Sequence, residues 1–249
     1  MWLTLMRRTL VALATYNEIE NLPGLVDEIL RVLPDADLLV IDDNSPDGTG
    51  RWCDERAATE PRLQCLHRPG KQGLGSATIA GMRWALDRSY DVFVTMDADW
   101  SHDPRHLPEL TQAIEQTDVA IGSRYCAGGS IEGWPLHRRI LSRTVNGLTR
   151  LLLRLPIKDA SGAYRAYRVS ALRTIDLNSI KAMGYAYLEE IVWQLHRAGA
   201  TFAEVPIVFR ERRSGQSKIS VGEALAKLSM LLRLASRKSA PSAQSESKL

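Results

Sequence analysis

The chain has little cysteine: Cys53, Cys65 and Cys126 are scattered through 249 residues, with no Cys-x-x-Cys pair. That spacing indicates neither a zinc site nor a disulfide framework, and so sparse and odd a count fits a reducing compartment. Long hydrophobic runs are absent as well. No uncharged apolar stretch approaches the roughly 20 residues a spanning helix needs. The apolar N-terminus, MWLTLMRRTLVALATYNE, meets charge too early to read as a signal peptide. Charge of one sign is not in excess either, since a net +3 gives no reason to expect nucleic acid. No internal repeat and no boundary for a second domain are visible. What is left, 45% hydrophobic and 24% charged residues, is an ordinary globular composition. The length suits one large α/β domain with a sizeable core.

Apolar runs and helical periodicities alternate along the first half. TLVALAT (9–15) reads as a strand ending in the polar YNEIEN, where Asn17 or Asn21 is placed to cap the following helix. In that helix Leu22, Leu25, Val26, Ile29 and Leu30 recur at helical spacing. ADLLVIDDNS (36–45), RLQCLHR, YDVFVTMDAD and DVAIGSRY read as four more strands, with helices between them. Strands alternating with helices, without hairpin turns, predict a mostly parallel sheet. Ligands collect at the carboxyl ends of such strands, where Tyr16, Asp42, Asp43, Asp97, Asp99 and Arg124 fall. Beyond them, GYAYLEEIVWQLHRAG reads as a helix, TFAEVPIVF as a strand and RERRSGQSK as a basic mobile loop.

Two acidic strand ends carry the chemistry. Asp97 and Asp99 stand two apart, a spacing that puts both on one side of an extended chain. Carboxylates so placed repel unless a cation lies between them, and Mg2+ or Mn2+ takes such ligands together with substrate phosphates. Asp42-Asp43, at a neighbouring strand end, can then bond the hydroxyls or base of a nucleotide. A metal that neutralises a departing nucleoside diphosphate suits a nucleotide-sugar donor. GKQGLGSA lacks the order of a phosphate-binding P-loop, since Lys71 precedes the glycines, and reads as helix packing near the donor. His102 and His137 lack partners at zinc-ligand spacing.

The motifs TYNEIENL, IDDNSPDGTG, GLGSATIAGM, MDADWSHDP, GSRY, GWPLHRRILSR, DASGAYRAYR and RSGQSK occur in this order. Together they resemble the polyprenyl-phosphate (dolichol-phosphate) mannosyltransferases, inverting glycosyltransferases of GT-A fold. The likeness runs from about Thr9 to Leu234. It implies transfer of mannose from GDP-mannose to a polyprenyl phosphate with Mg2+ or Mn2+ bound, at the cytoplasmic face of a membrane. It also implies residue roles. Tyr16, Glu18 and Asp43 would contact the nucleotide, and Asp97, Asp99 and Ser101 would hold metal and diphosphate. Arg124, Arg138 and Ser142 would receive the acceptor phosphate, Glu190 would lie near the sugar, and Arg212 and Lys218 would close over the donor. Two residues depart from the family pattern: Ala14 stands where proline is usual, and Trp100 replaces a common leucine. Another donor such as UDP-glucose, or a hydroxyl acceptor, is the alternative within GT-A enzymes.

A phosphate acceptor also follows from charge. A hydroxyl acceptor needs a general base, whereas a phosphate monoester, with a second pKa of about 6, is already anionic at neutral pH. It needs cations to position it. From Gly133 to Lys158 there are five arginines and one lysine but no acid, with Ser142 one helical turn beyond Arg138. Two amphipathic segments, 137–157 and 221–235, are expected to lie on a membrane surface, with or without a separate membrane-anchoring subunit. In the first, Leu148, Leu151, Leu152 and Leu155 form the expected apolar face. In the second it is Leu225, Leu228, Leu231, Leu232 and Ala235, with Lys227, Arg233, Arg237 and Lys238 as headgroup partners. The catalytic domain is expected over 1–235, and a disordered tail over 236–249.

Overall fold

A computed structural model describes residues 7–180, 186–211, 229 and 231–236. The order is β1 (Thr9–Thr15), α1 (Leu22–Val32), β2 (Asp37–Asp42), α2 (Thr49–Ala57), β3 (Leu63–His67), α3 (Leu74–Asp87), β4 (Val92–Asp97), α4 (Leu107–Ala113) and β5 (Val119–Ser123). There follow β6 (Ser130–Glu132), α5 (Leu136–Leu153), β7 (Arg165–Arg168), α6 (Val169–Leu172), α7 (Tyr187–Arg197), β8 (Phe202–Pro206) and β9 (Val208–Arg210).

The main sheet runs β3-β2-β1-β4-β7-β5-β8 and is parallel except for β7, which is antiparallel to both of its neighbours. The α/β, GT-A-like architecture is the one expected. Alternation along the strands divides the core between the two faces. Leu10, Ala12, Leu39, Ile41 and Phe93 face α3, α7 and the end of α5. Val11, Leu13, Leu38, Val40 and Val94 face α1 and α4. The five α1 residues named for their helical spacing are its buried residues.

Three expectations need correcting. Neither asparagine caps α1 through its side chain: Asn21 sits at the cap in helical conformation, and its Nδ2 donates to Glu18 Oε2 instead (2.8 Å). TFAEVPIVF is two strands, because the chain leaves the main sheet at Ile207 and β9 pairs with β6 in a separate ribbon. In DASGAYRAYR lies β7, which the alternation argument does not provide for. It is a short strand, with Ala166 and Tyr167 wholly buried.

Register sets the site. Thr15 of β1 lies opposite Asp42 of β2, and Ala14 lies opposite Asp97 of β4, so both acidic strand ends flank the end of β1. Ala14 is paired on both sides, a position where proline would lack the amide a central strand uses.

Candidate active site

The end of β1 is built onto the loop after β2. Successive amides of Asn17, Glu18 and Ile19 donate to Ser45 Oγ (3.0 Å), Thr49 Oγ1 (3.0 Å) and Asp47 Oδ2 (3.1 Å). Asp42 in turn accepts from the Ser45 amide (3.0 Å) and from Thr15 Oγ1 (3.1 Å). It is therefore a brace within the loop. Asn17 and Asn44 both adopt left-handed backbone, at φ 61 and 59, which asparagine tolerates better than most residues. Asp43 is buried. Arg68 Nε lies 2.8 Å from its Oδ1, and the Gln72 amide donates to its Oδ2 (3.0 Å). Tyr16 stands exposed on the wall so formed, with Lys71 Nζ 4.2 Å from its ring centroid. The structure thus gathers Tyr16, Glu18 and Asp43, with Asp43 set into the base of the wall. Arg68, not anticipated from sequence, is what neutralises it.

The glycine loop packs as expected. A Cβ on Gly75 would come within 2.9 Å of the Tyr187 ring, so only glycine lets α3 approach α7 this closely.

The strand argument for Asp97 and Asp99 holds only in part. β4 ends at Asp97, and the chain then turns through Trp100 in left-handed conformation (φ 65), with the indole against Gly24. Asp99 is therefore placed by a turn. Its Oδ1 accepts the Ser101 amide (3.0 Å). Ser101 Oγ is buried and lacks a hydrogen bond, an atom left in want of a ligand or partner. Two carboxylates and an orphaned hydroxyl are hard oxygen donors. They fit a magnesium-class ion that completes its shell with substrate phosphate and water. His102, though adjacent, is poorly suited as a ligand. It is buried, and its Nδ1 accepts the Asp97 amide (3.0 Å), which leaves the proton on Nε2. Burial pushes its pKa down to about 4, so it is neutral in use.

An aromatic cluster joins this turn to the cationic helix α5. The His102 ring stacks on Tyr164 and meets Phe209 edge-on at 5.5 Å, and Phe209 meets Trp134 at 5.5 Å. Over Trp134 lies Arg138 (3.9 Å), which is also paired with Glu211 (2.9 Å). Ser142 Oγ accepts from Tyr125 Oη (2.6 Å), and the Tyr125 ring carries Arg143 at 5.6 Å. Arg138 and Ser142 therefore share one patch.

Arg124 lies beneath that patch. It is buried, and its Nε and Nη2 form a fork onto Asp159 (both 2.7 Å), with Nη2 also donating to Ser161 Oγ (2.8 Å). Burial opposes both charges, but each partner outweighs it. Arg124 holds Asp159 below the usual carboxylate range, and Asp159 raises Arg124. Sequence reasoning missed Asp159, although it is the first acid after the acid-free stretch. It missed Asn146 too. That side chain accepts the Ala160 amide and donates to Ser161 Oγ (both 3.0 Å), tying α5 to the loop that carries Asp159. Glu190 is buried in the first turn of α7. Arg212 and Lys218 lie outside the described residues.

The exposed apolar face of α5 keeps Leu148 and Leu151 of the four leucines expected there, but not Leu152 and Leu155. Leu155 is 3% exposed and Leu152 half-buried, both against the core. At about 100° per residue, Leu136, Ile140, Leu141, Leu148 and Leu151 share one exposed arc, and Leu151 is 75% exposed. Arg139, Arg143 and Arg150 border it, all exposed. Of the segment expected over 221–235, Leu231 is core, together with Leu234, while Leu232 is exposed. Leu225, Lys227, Leu228, Arg237 and Lys238 lie outside the described residues. Among the described residues no helix is long and apolar enough to cross a membrane.

Known proteins are similar to this chain in sequence or in fold. The sequence profile of glycosyl transferase family 2 matches residues 10–176. The undecaprenyl-phosphate mannosyltransferase of Micrococcus luteus is 47% identical over 221 residues, 88% of this chain and 91% of that protein. The polyprenol monophosphomannose synthase of Mycolicibacterium smegmatis is 45% identical over 227 residues, 89% and 86% respectively. Among solved structures, glucosyl-3-phosphoglycerate synthase from Mycobacterium tuberculosis, in complex with Mn2+, UDP and phosphoglyceric acid, superposes with a TM-score of 0.67. Its identity is 19%, and the match covers 93% of this chain and 79% of that one, a likeness of fold.

Proposed function

Because the chain belongs to glycosyl transferase family 2, we propose that it transfers mannose from GDP-mannose to a polyprenyl monophosphate with inversion, using Mg2+ or Mn2+. The observation that carries the reading is the aromatic bridge from His102 through Phe209 and Trp134 to Arg138. It sets a cationic patch beside an acidic turn. Metal-binding carboxylates on one side and arginines on the other suit a diphosphate leaving group and a phosphate nucleophile. The names of the two curated relatives point the same way.

Each group has a task. Tyr16 and Glu18 line the nucleotide wall, and Asp43, fixed by Arg68, keeps its shape. Asp97, Asp99 and Ser101 hold the metal, which supplies charge compensation for the leaving diphosphate. Arg138 binds the acceptor phosphate, and the Trp134 face holds its guanidinium in place. Ser142 offers a hydroxyl beside it. Arg124, anchored by Asp159, adds positive potential from below. A dianionic phosphate needs no base to attack the anomeric carbon, so Glu190 serves to orient the sugar. Arg212 and Lys218 close on the donor phosphates. The exposed arc of α5 lies on the surface of the bilayer that holds the acceptor, its arginines against anionic headgroups.

A donor panel tests the reading. Purified protein with polyprenyl phosphate and Mg2+ is given GDP-mannose, UDP-glucose or UDP-galactose, and organic-extractable sugar is measured. Transfer from GDP-mannose at least tenfold above the others supports it. Equal or better transfer from a UDP-sugar overturns the donor assignment.

A further inference from the structure

Away from the acidic turn, the edge strand β3 sets a thiol and an imidazole, two residues apart, beside a carboxylate of α2. Asp54 of α2 and Cys65 and His67 of β3 each offer one ligand atom, and the three atoms lie within 4.8 Å of one another. We propose that they form a second metal site, for a zinc-class transition cation, independent of the hard site at Asp97 and Asp99.

Three observations support it. Cys65 Sγ is 3.9 Å from His67 Nδ1, close to the edge of about 3.6 Å that bonds of 2.3 Å and 2.05 Å subtend in a tetrahedral zinc shell. His67 Nε2 and Asp54 Oδ1 share a proton across 2.8 Å. Such a carboxylate contact to the other ring nitrogen is the usual companion of a metal-bound histidine. Cys53, wholly buried, lies in the core cluster against which Cys65 packs. The two contacts use opposite nitrogens of one ring, so the Cys65 thiol and His67 Nδ1 hold the ion while Asp54 orients the ring through Nε2, and a thiol–imidazole pair is one that magnesium does not favour and zinc does. The half-exposed His67 and Asp54 leave room for entry and for waters in the remaining positions.

The ion would enter by displacing the Cys65 thiol proton to solvent, forming a sulfur–metal bond. Binding must therefore tighten as pH rises. The location gives the site a neighbour of consequence. His67 is followed directly by Arg68, whose guanidinium neutralises Asp43 at the base of the nucleotide wall.

Cobalt(II) reports the site without any sugar substrate, so the outcome is independent of the reaction proposed above. The full chain, stripped with chelator and kept reduced, is titrated with CoCl2 in millimolar MgCl2. The expected result is one equivalent of thiolate-to-cobalt charge-transfer absorption, resistant to Mg2+ and displaced by ZnCl2. Cys65→Ser should abolish that band, and Cys126→Ser should leave it intact. His67→Gln and Asp54→Asn should each weaken binding at least tenfold. Should Cys65→Ser misfold, the last two variants still decide. No thiolate band at any cobalt concentration, a band lost with Cys126→Ser, or unchanged affinity in both His67→Gln and Asp54→Asn would each overturn the proposal.

Discussion

At the residue scale, the site depends on charges held by partners far away in sequence. Arg124 and Asp159 are 35 positions apart, and both are nearly inaccessible. Asp159→Asn leaves a buried guanidinium uncompensated, so a loss of about 3–5 kcal/mol is expected in denaturant unfolding. The paired change with Arg124→Met should recover part of it. His102 gives a pH signature. Its folded pKa, lowered to about 4 by burial, lies below its unfolded value near 6.5. Between those values the unfolded chain binds a proton that the folded chain refuses. Stability is therefore full above pH 6.5 and falls as pH drops toward 4. His102→Asn, whose amide oxygen can still accept from Asp97, should flatten that part of the stability curve. Glu190→Gln tests the role of the buried α7 carboxylate. With a phosphate nucleophile the rate should fall without any change in the shape of the pH–rate profile. A lost acidic limb would instead identify a base.

At the element scale, the strands that end in acids were readable, because polar residues stop short apolar runs at a point the period-2 pattern marks. β7 was not, since Arg165 and Arg168 give it a polar outline. Its Arg165 is nevertheless wholly buried, donating to the carbonyls of Gly162, Ala160 and Leu188. Asp159, Asn146 and Trp134 stayed invisible for the same reason: their partners come from other elements. Helix α5 was legible as amphipathic but only partly in its orientation, because leucines line both of its faces and only packing decides which are buried. Its exposed arc leads to a prediction. Ile140→Glu with Leu151→Glu should lower co-sedimentation with anionic liposomes at least tenfold, while binding of soluble donor stays within twofold. At the α3–α7 contact, Gly75→Val would drive a methyl into Tyr187 and is expected to cost about 1–3 kcal/mol by thermal unfolding.

At the scale of the whole molecule, three strand ends and one helix converge. The wall on β1 and β2 adjoins the acidic turn after β4 through the register of β1, and one aromatic cluster joins that turn to the arginine patch on α5. The central claim is that this convergence serves a phosphate nucleophile. It is tested most directly by supplying GDP-mannose and metal with either polyprenyl phosphate or the corresponding polyprenol at equal concentration in the same detergent. Initial rates of lipid-linked mannose formation are then measured by mass spectrometry. The account predicts mannosyl phosphate lipid from the first and no product above background from the second, with Arg138→Ala slowing the first reaction at least tenfold at limiting acceptor. Comparable mannosylation of the polyprenol, with Arg138→Ala indifferent, would contradict it.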